Sequence, residues 1–491
     1  MEQQYIKDLL KPSAYPEVTR TVTLVQTHVS LLFLTDNHVY KIKKPVDLGF
    51  LNFTTVDRRR FYCEEEVRLN RRLCPDIYLG VVQLRESGEG VTFHTDGRIV
   101  DYAVRMRRLP EERMLDRLLR ENLVKEAAVK KIARTIAEFH KRAERSDEID
   151  RYGGLQTIAA NWEENLRQIA DSVGITIERK DLELIQDWVN DFMEREAPLF
   201  ARRISGGFIR DCDGDIHAGN ICLADKVYIF DCIEFNKRFR YIDTAADIAF
   251  LVMDLDYHNN MAYAEILVRE YLSASNDTGL TGLLDFYKIY RAFVRGKVES
   301  IRLHDREIPA QDRAAAKESA KRHFRLATGY ILRRKLAPSL IIFSGLMGTG
   351  KSTISSRLAF ELGLNIVRSD VIRKKIAETA ETVQSFFEFG EGIYSDDFTL
   401  TTYEKLLSAG ETALASGRSI IIDASCSRKC HRELFRTLSQ KLAVGFYIIQ
   451  TDCSDDLART RLTRRLQNGT DPSDGRWELF YRQKARFERI D

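Results

Sequence analysis

The 491-residue sequence has no long apolar segment, no paired cysteine motif and almost no net charge. No uninterrupted apolar run approaches the roughly 18–20 residues of a membrane-spanning helix. Lys and Arg total 76 and Asp and Glu total 73, so whole-molecule charge gives no argument for nucleic-acid or acidic-membrane binding. Residues 1–15 mix acidic and basic side chains, and we therefore expect neither a secretory signal nor a transit peptide.

The eight cysteines are scattered, and no two have the two-residue spacing of a zinc ribbon or a thioredoxin-type site. The sequence therefore predicts a reduced, cytoplasmic protein. Hydrophobic residues make up 44% and charged residues 30%, which is typical of a folded globular chain. A chain of 491 residues exceeds what one hydrophobic core usually organises, so we expect two to three domains.

The clearest break between domains lies at residues 333–339, a short basic stretch with a proline. It follows a helical pattern over 311–334 and precedes an apolar run at 340–343. A helix, a short loop with proline and then a buried strand are typical of a junction between domains. The predicted domains are residues 1–335 and 336–491.

The first predicted domain begins with strands and continues with helices. Alternating patterns predict hairpin-like strands over 21–46, a helix over 57–73 and a strand pair over 80–108. From 110 onward the pattern is mainly helical, except for short strands at 221–230. This order predicts a β-rich small lobe at about residues 1–109 and an α-rich large lobe at about 110–335.

The second predicted domain opens on a candidate phosphate-binding loop. Residues 345–352 fit the spacing GxxxxGK(S/T), between a predicted strand at 340–343 and a predicted helix at 352–362. Glycines let backbone N–H groups approach phosphate oxygens, and the helix N-terminus adds partial positive charge. Lys351 is expected to bridge the β- and γ-phosphates, and Ser352 to bind Mg²⁺. The predicted nucleotide-binding residues here are Gly345, Gly348, Thr349, Gly350, Lys351, Ser352 and Thr353.

Two further strands of this domain are predicted to end in carboxylates, Asp370 and Asp423. They would lie at the strand ends where ligands of open α/β sheets gather, and Asp423 is a candidate for holding a magnesium-bound water. The module resembles the small P-loop kinases related to polynucleotide kinase, gluconate kinase and zeta toxins, with a parallel sheet. That resemblance implies Asp370 as general base and Arg373, one helical turn later, as an anion clamp. The alternative for Asp370 is a helix N-cap.

Four arginines, at 459, 461, 464 and 465, crowd one predicted helix after a strand at 443–452. In a kinase lid, arginines stabilise the charge of the transferring phosphoryl group, so Arg461 and Arg464 are predicted to bind nucleotide. The alternative is a solvated basic helix face. The pattern yields one strand fewer than the five of a typical core of this type, so that strand is absent or the sheet is completed differently.

A second phosphotransfer motif lies between residues 210 and 236, RDCDGDIHAGNICLADKVYIFDCIEFN. Asp215 precedes Asn220 by five residues, and a tight hairpin over 221–230 is expected to return Asp231 to the same place. Phosphoryl transfer needs a carboxylate to accept the hydroxyl proton, and an amide oxygen and a second carboxylate to hold Mg²⁺. Asp215 is therefore predicted to be catalytic, with Asn220 and Asp231 as metal ligands; the alternative is that all three are polar turn residues.

This motif resembles the catalytic loop and metal motif of aminoglycoside and choline phosphotransferases, which share the protein-kinase fold. The strand at 39–45 resembles their third strand with its phosphate-binding lysine, for which Lys41 is favoured over Lys43. Helical spacing makes Glu66 the inward partner of that lysine, rather than its two acidic neighbours at 64 and 65. Segment 102–110 resembles the strand and hinge that contact adenine.

The fused order resembles a bacterial family of two-module proteins described as bifunctional aminoglycoside phosphotransferase/ATP-binding proteins. Phrases such as CEEEVRLNRRL, FDCIEFN and YIDTAADIAFLVMDL carry this likeness over nearly the whole chain. It predicts an ATP- and Mg²⁺-dependent kinase that phosphorylates hydroxyl groups of small-molecule acceptors, without a membrane partner.

Two other functions remain open at this stage. The resembled loop usually begins His-Gly-Asp, whereas Asp213 stands at the histidine position here. The first alternative is therefore an N-terminal module that binds nucleotide or a metabolite without chemistry and regulates the P-loop module. The second is a C-terminal polynucleotide 5′-hydroxyl kinase, against which the near-neutral charge argues.

Overall fold

The computed structural model of the chain describes residues 3–88, 90–94, 96–303, 309–377, 392–468 and 473–490. It divides into two compact units, Met1–Lys321 and Arg322–Asp491. The sequence-based boundary between 335 and 336 stays a prediction. Within the described ranges, no helix combines the length and apolar character needed to cross a membrane.

A six-stranded antiparallel sheet with the order β1-β2-β3-β6-β4-β5 opens the N-terminal unit. Apolar side chains at alternate positions of β2 and β3, such as Leu31, Phe33, Tyr40 and Ile42, are buried in its core. The elements are α1 (Gln3–Leu9), β1 (Thr23–Gln26), β2 (Ser30–Leu34), β3 (His38–Lys43), α2 (Val56–Asn70), β4 (Tyr78–Ser87), β5 (Gly90–Thr92) and β6 (Arg98–Arg107).

The rest of this unit is mainly helical, and the buried helix α10 lies at its centre, packed against α11 and α12. The elements are α3 (Leu115–Arg120), α4 (Glu126–Arg142), α5 (Asp147–Asp150), α6 (Leu155–Gln168), α7 (Arg179–Arg195), α8 (Ala197–Ser205), β7 (Ile209–Asp211), β8 (Ile221–Leu223), β9 (Val227–Ile229), α9 (Lys237–Arg240), β10 (Tyr241–Asp243), α10 (Thr244–Tyr257), α11 (Met261–Ser275) and α12 (Leu280–Arg302). Helix α13 (Ala310–Arg333) continues past residue 321, where the first unit ends, into the second. The predicted hairpin is the antiparallel pair β8–β9. A second antiparallel pair, β7–β10, was not predicted.

The C-terminal unit is built on a parallel sheet with the order β12-β13-β11-β14. Leu340 and Ile342 of β11 pack into one apolar cluster while Ile341 and Phe343 pack into another, as a strand covered on both faces requires. The elements are β11 (Ser339–Ser344), α14 (Lys351–Leu362), β12 (Asn365–Arg368), α15 (Ser369–Ile376), α16 (Asp396–Ala415), β13 (Ile420–Asp423), α17 (Lys429–Lys441), β14 (Gly445–Gln450), α18 (Asp455–Asn468) and α19 (Trp477–Ala485).

This sheet has four strands in the described part of the chain, so no fifth strand completes it there. Parallel strands end at one common edge, and β11, β12 and β13 therefore deliver residues 345, 369 and 424 to the same side of the unit. That edge is where the predicted phosphate-binding loop lies.

Candidate active sites

A cavity of about 220 Å³ opens at the carboxyl edge of the parallel sheet in the C-terminal unit. It collects residues from the loop after β11, from α15, from the end of β13 and from α18. Residues of the predicted site that line it are Gly348, Gly350, Lys351, Ser352, Asp370, Arg373 and Asp423. One cavity therefore joins the phosphate-binding loop to both carboxylates that were predicted at strand ends.

The glycine loop has a backbone that side chains would disrupt. Gly345 has φ +151°, and a Cβ there would lie 2.5 Å from the carbonyl oxygen of Thr451. Lys351 donates through Nζ to the carbonyl oxygen of Leu346 at 2.8 Å, so the ammonium group folds over the loop. Burial lowers the pKa of Lys351, and the nearby carboxylates of Asp423 and Asp370 oppose that change. The ammonium group thus lies among the groups that a triphosphate and its metal ion would contact.

Thr349 and Thr353, which the sequence predicted to bind nucleotide, do not line the cavity. The Thr349 hydroxyl donates to the Leu346 carbonyl oxygen at 2.7 Å and lies 2.8 Å from the Thr451 hydroxyl oxygen. Thr353 is exposed and does not line the cavity. Thr349 therefore stabilises the loop, and the placement of Thr353 gives no support for a contact with nucleotide.

Asp423 offers a buried carboxylate at the end of β13. Its Oδ2 lies 3.3 Å from Arg368 Nε and accepts no hydrogen bond from any described residue. Ser352 contributes a hydroxyl to the same cavity. Carboxylate and hydroxyl oxygens are the ligands Mg²⁺ prefers, and the incompletely satisfied carboxylate fits that ion.

Asp370 and Arg373 both lie on α15, but the N-cap of that helix is Arg368, so Asp370 is not the cap. Arg373 is buried and donates through Nη1 to the Ile393 carbonyl oxygen at 2.6 Å and through Nη2 to Thr399 Oγ1 at 3.0 Å. These two bonds fix the guanidinium orientation at the cavity wall.

The arginines of α18 lie in other positions than the sequence predicted for nucleotide binding. Leu462 is buried, so the face of α18 that carries it packs against the rest of the unit. With the helix in this orientation, Arg465 lines the cavity, whereas Arg464 is exposed and lies outside it. Arg461 donates through Nη1 to the Gly348 carbonyl oxygen at 3.3 Å and contacts the loop from outside the cavity. On this placement Arg465 replaces Arg464 as the candidate for contacting phosphate.

In the N-terminal unit, a carboxylate buried beneath β3 is shared by two lysines. Lys41 Nζ lies 2.8 Å from Glu66 Oε1, and Lys43 Nζ lies 2.6 Å from Glu66 Oε2. Although burial opposes the change, the two ammonium groups lower the pKa of Glu66 to about 2. Lys41 also contacts Asp231 at 2.5 Å, and Lys43 also pairs with Glu234. Glu66 is thus the inward acid of α2, and Lys41 is the lysine that reaches Asp231.

The hairpin β8–β9 brings the predicted catalytic and metal residues to one end of the unit. Asn220 donates through Nδ2 to Asp215 Oδ2 at 3.1 Å. The Phe230 N–H donates to the Asn220 carbonyl oxygen at 3.1 Å, immediately before Asp231. Asp231 has φ +67°, and its N–H donates to the Tyr78 hydroxyl at 3.1 Å. The Asn220 amide thus turns its nitrogen to Asp215, which leaves its oxygen available to a cation.

The loop before Asp215 is braced by a buried aspartate of α10. The N–H groups of Asp213 and Gly214 donate to the Asp247 carboxylate at 3.0 and 2.9 Å, and His140 Nε2 lies 3.1 Å from the same carboxylate. Asp213 Oδ1 in turn accepts the Asp215 N–H at 3.1 Å. Burial, with the neighbouring Asp247 charge, raises the pKa of Asp213 well above its ordinary value.

Sequence reasoning missed Asp247 and His140. The signal for Asp247 is the stretch YIDTAADIAFLVMDL, a largely apolar run that carries aspartates at 243, 247 and 254, because an aspartate on a buried helix must be hydrogen-bonded. His140 has no local signal, since its partner lies 107 residues away along the chain.

Comparison with known proteins gives matches over most of the chain and matches over part of it. The AAA domain family matches residues 340–490. An uncharacterised protein of Mycobacterium tuberculosis, Rv2004c, is 30% identical over 447 residues, which is 91% of this chain and 86% of that protein. A shikimate kinase of Corynebacterium jeikeium is 27% identical over 150 residues, covering 30% of this chain and 74% of that enzyme.

Among solved structures, a choline/ethanolamine kinase family protein from Mesorhizobium loti is 12% identical, with a TM-score of 0.40. The match covers 66% of this chain and 95% of that one.

Proposed function

The chain belongs to the protein family that includes the uncharacterised protein Rv2004c of Mycobacterium tuberculosis, and from this premise we propose that it is an ATP- and Mg²⁺-dependent phosphotransferase acting on hydroxyl groups of small molecules. The observation that carries the proposal is the cavity that unites Lys351, Ser352, Asp370, Asp423 and Arg465. A general base, a phosphate-binding lysine and a metal-binding carboxylate in one cavity are the parts of a phosphoryl-transfer site. The similarity of 150 residues of the chain to a shikimate kinase supports this reaction class.

In the C-terminal site, the loop backbone and Lys351 bind the β- and γ-phosphates. Ser352 and Asp423 would hold Mg²⁺, which neutralises phosphate charge when bound. Asp370 accepts the proton of the acceptor hydroxyl as the acceptor oxygen attacks the γ-phosphorus. The bond from the γ-phosphorus to the β–γ bridging oxygen breaks, giving a phosphomonoester and ADP, while Arg465 stabilises the charge on the transferring group.

The N-terminal site is proposed to use Asp215 as base, Lys41 for phosphate, and Asn220 with Asp231 for Mg²⁺. Lys41 and Asp231 contact each other at 2.5 Å in the structure. Their side chains would part as the Lys41 ammonium group binds phosphate and the Asp231 carboxylate holds the cation. Because one complex satisfies both partners, ATP and Mg²⁺ should bind this site cooperatively.

The alternative for this unit is a nucleotide-dependent regulator, which the buried Asp213 favours because it stands where the resembled loop has its histidine. Replacing Asp213 by His separates the two functions. A rise in N-terminal turnover supports an enzyme, whereas unchanged inactivity with ATP still bound supports the regulator.

The test is a screen of a metabolite pool with γ-labelled ATP, using wild type, Lys351→Ala, Asp231→Ala and a charge-matched control, Lys441→Gln. Lys441 is an exposed residue of α17 that pairs with Glu411 away from the cavity. Loss of a phosphate-binding group should lower turnover at its own site by about 10²–10³-fold. If neither Lys351→Ala nor Asp231→Ala changes any labelled product, the proposal is wrong. A 5′-hydroxyl oligonucleotide in the same screen tests the polynucleotide kinase alternative.

A further inference from the structure

Helix α19 forms one wall of the cavity in the C-terminal unit, and the proposed reaction does not use it. Leu479 and Gln483, four residues apart on one face of the helix, line the cavity. Phe480 is buried in an apolar cluster with Leu462 of α18, and Met347 of the phosphate-binding loop packs against this cluster. Helix α19 therefore rests directly on the loop.

A hydrogen bond joins this helix to the backbone of the loop. The N–H of Met347 donates to Gln483 Oε1 at 2.8 Å, and both residues line the cavity. The carbonyl oxygen on the other side of the same peptide unit, that of Leu346, accepts the hydrogen bond from Lys351 Nζ. Lys351 and Gln483 thus hold one peptide unit of the loop from its two sides.

The orientation of the Gln483 amide leaves its NH₂ group for a ligand. A backbone N–H can only donate, so the amide oxygen must face Met347 and the NH₂ group must face away from that N–H. The Nε2 atom donates to no residue that the structure describes, and it is open to solvent. An amide NH₂ group offers two donors and no acceptor, so it complements a phosphate oxygen and not a cation.

The shared peptide unit favours the γ-phosphate as the partner of this NH₂ group. In a phosphate-binding loop, the backbone N–H groups cradle the α- and β-phosphates, whereas the lysine reaches the β- and γ-phosphates. Because Gln483 and Lys351 hold the same peptide unit, the Gln483 amide lies at the end of the loop to which the lysine directs the γ-phosphate.

We propose that Gln483 donates a hydrogen bond through Nε2 to an oxygen of the γ-phosphate of the nucleotide bound in this loop. This inference rests on the proposed function, which places ATP there. ADP has no γ-phosphate, so Gln483 should contribute to the binding of ATP and not to the binding of ADP.

The test is calorimetry in the presence of Mg²⁺ with two nucleotides, ADP and the non-hydrolysable ATP analogue AMPPNP. Every protein is the full chain carrying Asp231→Ala, which weakens the proposed N-terminal site. Gln483→Leu removes both functions of the amide, whereas Gln483→Glu keeps an oxygen for the Met347 N–H and places a negative charge where the donor was. Gln440→Glu, at an exposed position of α17 outside the cavity, is the control with the same change of charge.

Gln483→Leu should weaken the binding of AMPPNP about tenfold, because a hydrogen bond to a charged group is lost. Gln483→Glu should weaken it about a hundredfold, because its carboxylate also repels the phosphate. ADP should bind both variants within about threefold of the parent protein, and Gln440→Glu should bind both nucleotides as the parent does.

Equal affinity for AMPPNP in the parent protein and Gln483→Glu overturns the inference. An equal loss of affinity for ADP and AMPPNP also overturns it, because Gln483 would then only support the loop. Both results leave the proposed function intact. If Lys351→Ala in the same background leaves AMPPNP binding unchanged, the nucleotide does not bind in this loop, and the proposed function of the site fails together with the inference.

Discussion

Replacing Glu66 by Gln is expected to destabilise the N-terminal unit by about 3 kcal/mol. Glu66 is completely buried between the ammonium groups of Lys41 and Lys43, at 2.8 and 2.6 Å. Its pKa falls from 4.5 to about 2, and at about 1.4 kcal/mol per pKa unit this corresponds to roughly 3 kcal/mol in favour of the charged folded form. A glutamine keeps the shape but leaves two buried cations with less negative charge.

The assay is hydrogen exchange resolved by peptide, because a two-unit protein does not unfold in a single step. Amides of β3 and α2 should exchange about a hundredfold faster in Glu66→Gln, while β11 and α14 in the C-terminal unit serve as internal references. Glu64→Gln is the matched control on the same helix: Glu64 pairs with Arg60 at the surface at 2.9 Å, so its loss should change exchange less than about twofold.

The difference in stability between wild type and Glu66→Gln should depend on pH in one direction. Because the pKa of Glu66 is lower in the folded state, its contribution to stability is present above pH 4.5 and is lost as the pH falls toward 2. The advantage of wild type over Glu66→Gln should therefore shrink across that interval. Equal exchange of β3 amides in the two proteins at pH 7 would refute the shared-carboxylate account.

Three other changes test the remaining parts of the sites. Gly345→Ala places a Cβ 2.5 Å from the Thr451 carbonyl oxygen, so calorimetry in an Asp231→Ala background should show that ATP binding at the C-terminal site is lost, whereas Gly88→Ala, with no atom within 4 Å, should leave it unchanged. Asp423→Asn should raise the Mg²⁺ concentration for half-maximal ATP binding by about tenfold or more, and an unaltered Mg²⁺ titration would contradict the metal assignment. Burial raises the pKa of Asp213, so its contribution to stability is lost as the pH rises above the ordinary aspartate value. Relative to wild type, Asp213→Asn should therefore gain stability as the pH rises above the ordinary aspartate value, measured by hydrogen exchange of the α10 amides; a difference that does not change with pH would count against this.

The features that sequence predicted well are those fixed by local spacing. The glycine loop sits between β11 and α14 as expected, because strand, loop and helix follow one another directly in the chain. The burial of Glu66, rather than of the two glutamates before it, follows from helical periodicity alone.

The features that sequence did not predict depend on packing between distant segments. The choice between Arg464 and Arg465 turns on which face of α18 is buried, and the residues against which Leu462 packs set that face. The pair β7–β10 has three residues in each strand, too few for an alternating pattern to register. The brace formed by Asp247 joins α10 to a loop more than 30 residues away.

The sharing of Glu66 by two lysines has a consequence for the design of inactive variants. A kinase is commonly silenced by removing the lysine that holds phosphate, but here Lys41→Met would leave a second ammonium group on the same strand and the same carboxylate. If Lys43 sustains residual turnover in that variant, the site would wrongly be judged dispensable. A loss-of-function allele for genetic complementation should therefore alter Asp231, or both lysines together.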